Sequence, residues 1–200
     1  MPSAILEKLR RERSRKLGLL NILERQLCGI RGGDTPDYEL MLQILLHLGG
    51  RPGGQYSPLE EALLNHVAAL CPDLNLSATR LARRHRHLQR RGETLSETVA
   101  QVLDGHLVSR ARLVRAGRRY TDACGEHLRD EEDNLFTPLA ENLTTADWHA
   151  LEAALAPLAA ALGEDVPEYE ALADRLTAEG AGTWPWRVAE DQSCPVCSQA

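Results

Sequence analysis

Aromatic residues are scarce in this chain, with one Phe, four Tyr and three Trp among 200 residues. That removes many of the side chains that favour strands and leaves a Leu- and Ala-rich composition that favours helix, so the expected class is all-α. Long apolar runs are also missing: no stretch approaches the roughly 18 residues that a membrane span needs, and the first residues carry no apolar signal segment. The expectation is therefore a cytoplasmic protein with no membrane partner. Positive charge is not in excess. A formal charge of −6 argues against nucleic acid as a partner, although basic residues cluster at 8–16, 83–91 and 110–119. Such clusters read as the wet faces of amphipathic helices. Cysteine is too sparse and too odd in number, at five, for a disulfide framework. Cys28, Cys71 and Cys124 read as small packing residues. Cys194 and Cys197 form a CPVC with no second pair to complete a zinc site, and are read as part of a frayed tail.

The most informative stretch that is present is 120–143, YTDACGEHLRDEEDNLFTPLAENL. Wound as a helix, the chain puts Leu113, Tyr120, Cys124, His127, Glu131, Leu135 and Leu139 on one inward stripe, at steps of three, four or seven. An imidazole and a carboxylate then stand where core residues belong. Burying both is costly unless each has a partner, and a bound cation satisfies the two together.

The preceding chain repeats the pattern. A first helix over 3–27 has a Leu stripe interrupted by Arg13. The glycines of IRGGDTPDY end it, and Asp34 or Thr35 is placed to cap a second helix with Pro36 in its first turn. That second helix reads as two pieces, 37–48 and 57–70, divided by GGRPGGQ; the second piece turns Tyr56, Glu60, Leu63, Val67 and Leu70 inward, and Glu60 rather than Glu61 falls on the apolar face. A third helix, capped by Asn75 or Ser77, aligns Leu81, His85, Leu88, Gly92, Leu95, Val99 and Val102, with His87 on another face. Asp104–Gly105 breaks it, and Pro138 implies a bend or irregular turn late in the fourth helix. Helices over 145–162 and 167–179 are expected to cover the outside, with Trp184 and Trp186 pinning the irregular tail onto the body.

Each half of the pattern contributes one inward polar group from its first helix and two from its second. Arg13 and Tyr56 are 43 residues apart, and His85 and His127 are 42 apart. Two such hairpins packed antiparallel make an up-down four-helix bundle with a polar level across it. The domain reading is a bundle over 1–143, accessory helices over 144–180 and an irregular tail over 181–200.

The block from His127 through Glu131, Glu132, Leu135, Phe136 and Pro138 to Asp147 and Trp148, with Asp37-Tyr38 and LARRHRHLQRRGETL around His85, resembles the hemerythrin-like, HHE cation-binding proteins over roughly residues 5–162. The resemblance implies a four-helix bundle with a metal centre, commonly two irons held by an H…HxxxE…H…HxxxE pattern. His85, His127, Glu131 and Glu60 match that pattern. Arg13 stands where the first-helix histidine would be, and Tyr56 with Ser57 where a histidine pair would be. The remaining two-histidine, two-carboxylate set suits one Fe(II), Mn(II) or Zn(II) ion. Arg13 is expected to pair with Glu60 or Glu131 as a fixed charge in place of a second cation. Tyr56 is either a phenolate ligand or a core tyrosine bonded to a carboxylate.

The sequence supports three readings. The chain is a metal-binding protein with a reduced site that senses iron, dioxygen or oxidants; or a metal-free bundle acting as a regulatory or interaction module; or a metal-dependent enzyme that decomposes peroxide. No nucleophile triad or phosphate loop supports other catalysis. A homodimer in which two CPVC motifs share a zinc ion is compatible with the sequence.

Overall fold

The computed structural model describes residues 3–50, 58–71 and 74–161. Within them the chain is helical and contains no strand. The elements are α1 (Ala4–Gly32), α2 (Tyr38–Leu45), α3 (Pro58–Leu70), α4 (Asn75–Leu103), α5 (Arg110–Glu131), α6 (Thr137–Asn142) and α7 (Thr145–Ala161). A wider π-helical turn follows α5 at Glu132–Phe136, whereas after α2 the chain kinks within Leu46–Gly50, where Gly49 has φ +93° and is not helical. No helix among the described residues is long and apolar enough to cross a membrane.

The helix ends show how local chemistry sets the boundaries. α1 continues past Leu27, where the leucine stripe suggested it would stop, and ends at Gly33 with φ +98°. There Asp34 N–H donates to the Gly29 carbonyl and Gly33 N–H to that of Ile30, the paired closure a left-handed glycine permits. Gly105, with φ +82°, ends α4 by the same two bonds, His106 to Gln101 and Gly105 to Val102. The cap of α2 is Asp37, whose carboxylate accepts from Leu40 N–H at 2.8 Å, rather than Asp34 or Thr35. Asp37 has the extended backbone an N-cap needs, and Pro36 precedes it. Thr144 and Asp147 cap α7 reciprocally: Thr144 donates to the Asp147 carboxylate, and Asp147 N–H donates to the Thr144 hydroxyl.

The irregular turn expected near Pro138 lies just before it, at Glu132–Phe136, where the Thr137 N–H reaches back five residues to the Glu132 carbonyl. Pro138 then falls in the first turn of α6, where a missing N–H costs little, and the helix runs on to Asn142.

Chain contacts divide the molecule into two compact units, and α1, α4 and α5 each supply residues to both. The first unit has described residues 3–14, 58–85 and 127–161. Its core joins Leu6 and Leu9 of α1, Leu63 and Val67 of α3, Leu81 of α4, Phe136 and Leu139 after α5, and Trp148 and Leu151 of α7. Thus α7 contributes to this core. The Ser3 hydroxyl and Ala4 N–H both donate to the Glu152 carboxylate, and Lys8 donates to the Ala159 carbonyl, so α7 is also tied to the start of α1.

The second unit has described residues 15–50 and 86–126. Leu23, Leu27, Met41, Ile44, Leu95, Val99 and Leu113 are buried. Gly117 is placed so that a Cβ would lie 2.5 Å from Leu27 Cδ2, so any larger residue there would have to displace the Leu27 side chain. Buried Tyr120 donates its hydroxyl to the Leu48 carbonyl at 3.1 Å, satisfying the last turn after α2. Burial raises the Tyr120 phenol well above its usual range, with Cys124 adding to the effect.

The expected helix over 167–179, the tail with Trp184, Trp186, Cys194 and Cys197, and Tyr56 with Ser57 lie outside the described residues.

Candidate metal centre

Helical periodicity carries four polar side chains into the first unit. On α5 and its continuation every member of the predicted stripe, from Leu113 through His127 and Glu131 to Leu139, is buried. On α4 the stripe from Leu81 through His85 to Val99 is buried too, with Val102 partly exposed and His87 outside. On α3 Glu60 is 2 % exposed while Glu61 is only half-buried, as the register requires.

These helices bring Glu60, His85, His127 and Glu131 together, with one potential ligand atom from each within 4.8 Å of all the others. His85 donates from Nε2 to Glu60 Oε1 at 3.1 Å and to Glu131 Oε1 at 3.3 Å. His127 Nε2 lies 2.5 Å from Glu131 Oε1, one turn along the same helix. The two rings meet edge to face. Glu131 thus sits between the imidazoles, and Glu60 closes the group from α3.

Electrostatics follow from burial. Glu60 is raised above the ordinary carboxylate range, first by loss of solvent and then by the neighbouring Glu131 charge, with His85 opposing. Burial alone would lower His85, but hydrogen bonds to Glu131 and Glu60 outweigh it and lift the imidazole to about 9. The metal-free cluster therefore holds protons strongly. A divalent cation offers the same compensation differently: two carboxylates cancel its charge while two neutral imidazoles complete its shell. Ligand atoms around such an ion lie about 2.0–2.2 Å from it, so opposed ligands are no more than about 4.4 Å apart. The four ligand atoms lie within 4.8 Å of one another, near that limit, and two imidazoles with two carboxylates are a donor set such an ion takes.

Arg13 takes a different place from the one expected. It is half-buried, and its Nε donates to the Leu128 carbonyl at 2.9 Å rather than to Glu60 or Glu131. From α1 the guanidinium meets the backbone of α5 between His127 and Glu131, where a carbonyl offers an acceptor without the desolvation of a second buried charge.

Periodicity had not singled out the acids beside Glu131. Asp130 accepts from Arg80 at 2.6 Å, Arg84 at 3.1 Å and Asn134 at 2.7 Å. Glu132 accepts from Arg10 through Nε at 3.1 Å and Nη2 at 2.7 Å. The HLRDEED run held the signal, since successive residues on a helix point about 100° apart and only one of three adjacent acids can face the core.

No family model, curated protein or solved structure matches this chain.

Proposed function

We propose that the chain is a metal-binding protein in which α1, α2 with α3, α4 and α5 form a hemerythrin-like four-helix bundle, and that Glu60, His85, His127 and Glu131 hold one divalent ion, iron in the first instance, with manganese or zinc as alternatives. The convergence of four buried ligand atoms from three helices within 4.8 Å is the observation that carries this reading. Sequestering two carboxylates and two imidazoles without compensation costs several kcal/mol for each charged group, more than one buried leucine returns at about 2 kcal/mol. A bound ion would turn that cost into a staple joining α3, α4 and α5, and would supply Lewis-acid or redox chemistry. The role in sensing iron, dioxygen or oxidants is part of the same proposal.

Metal analysis of protein purified without added iron, followed by anaerobic titration with Fe(II), Mn(II) and Zn(II), tests it. The expected result is about one ion per chain, lost in His127→Ala and Glu131→Gln. Absence of binding by all three ions rejects it.

A second reading is favoured by the hydrogen bonds His85 makes to both carboxylates. In it the cluster is a metal-free polar network, held neutral by protons, in a regulatory bundle. Metal content separates the two readings directly.

A further inference from the structure

Glu131 occupies an unusual backbone position, as the last residue of α5 before the chain widens into the π-helical turn Glu132–Phe136. A π turn departs from the uniform i to i−4 ladder, so the direction of a side chain at its edge depends on what holds the backbone there. The residues on either side of Glu131 are held from outside by opposite neighbours. Asp130 is gripped by Arg80 and Arg84 of α4, and also bonds Asn134 within the π turn. Glu132 is gripped by Arg10 of α1 through both Nε and Nη2, with Thr137 adding its hydroxyl at 3.4 Å. Rotation of the helix end one way would draw Asp130 from α4; rotation the other way would draw Glu132 from α1.

We propose that Asp130 and Glu132 are positioning residues for the metal centre, acting through these arginines to fix the rotation of α5 at which Glu131 faces both His85 and His127. This rests on the metal-site reading of the cluster. Neither acid is among the four candidate ligands. They act as the outer partners that orient ligands in metal proteins do, where their loss commonly weakens metal binding by about ten- to a hundred-fold. The side chains of Asp130 and Glu132 are 15 % and 26 % exposed, so each acid is the sheltered end of its pair with the more exposed arginines, and Asp130 has two such partners. The Arg13 bond to the Leu128 carbonyl holds the same helix one turn earlier from α1.

Cobalt(II) serves as the probe because its visible spectrum reports ligand geometry. Wild type, Asp130→Asn, Glu132→Gln, the double variant, the charge-swapped pair Arg10→Glu with Glu132→Arg, and Asp133→Asn at the neighbouring exposed acid are titrated with Co(II). The ring signals of His85 and His127 are followed by NMR in the metal-free proteins. Each single variant is expected to weaken Co(II) binding by roughly ten-fold and to change the band shape, with the double variant weaker still. The charge swap should recover binding and spectrum, and Asp133→Asn should match wild type. Folded single and double variants that bind Co(II) with wild-type affinity and spectrum overturn the proposal, as does a loss of the same size in Asp133→Asn. If wild type binds no Co(II), the ring signals decide the positioning role: displaced signals in the double variant uphold it, and unchanged signals overturn it, while the metal reading stands or falls on the Fe(II), Mn(II) and Zn(II) titrations.

Discussion

His85 and His127 meet with ring centroids 4.7 Å apart and planes at 89°. One ring comes from α4 and the other from α5, 42 residues later, yet both are fully buried. The perpendicular arrangement lets both Nε2 atoms approach Glu131 Oε1 without the rings stacking.

Because Glu60 and Glu131 share the imidazole of His85, removing that ring should be more damaging than an ordinary core truncation. His85→Ala is expected to destabilise the metal-free protein by about 3–5 kcal/mol, the scale for stripping a partner from buried charge. Urea denaturation measures it. A loss below about 1 kcal/mol would show that the carboxyl groups do not depend on His85.

Stability of the metal-free protein should fall as pH rises. The folded value of His85, about 9, lies above the ordinary 6.5, so the folded chain binds that proton more tightly than the unfolded chain does. Its contribution is whole below pH 6.5 and is lost as pH climbs through 9. Glu60, also raised, acts in the same direction from its ordinary value of 4.5 upward. The slope cannot exceed about 1.4 kcal/mol per pH unit for each proton. Urea midpoints between pH 6 and 9 should decline in wild type and flatten in His85→Gln. Metal affinity should run the other way, rising with pH as protons leave the ligands.

Gly117→Ala places a methyl group against Leu27, which is 1 % exposed and has little room to yield. A loss of about 1–3 kcal/mol is expected from overpacking. Combining it with Leu27→Ala should cost less than the sum of the two single changes, which a double-mutant cycle in urea would detect.

Gly105→Ala meets no neighbour within 4 Å, so any cost comes from the backbone alone. With φ at +82° an L-residue is strained, and about 1 kcal/mol is expected. Replacement by Asn should recover part of it, since Asn tolerates this region. Equal stability of Gly105→Ala and wild type by thermal denaturation would contradict the assignment.

Helical phase was legible in the sequence because it is local: a repeat of about 3.6 residues sorts neighbours by direction wherever the helix packs. It separated Glu60 from Glu61, His85 from His87, and the His127–Glu131 pair from the acids around it. The breaks at Gly33 and Gly105 were legible for the same reason, since a left-handed glycine ends a helix through its own backbone. Other features depend on what stands opposite. The leucine stripe of α1 could not say that Arg13 would reach the Leu128 carbonyl, because a long flexible side chain chooses its acceptor only when another helix presents one. Nor could periodicity assign Asp130 to α4 and Glu132 to α1, or place the π turn that precedes Pro138. Sequence alone thus determined which face of each helix turns from the solvent. Tertiary packing decided which of them meet, because contacts between residues distant in the chain depend on how helices are set against one another, and no local repeat encodes that.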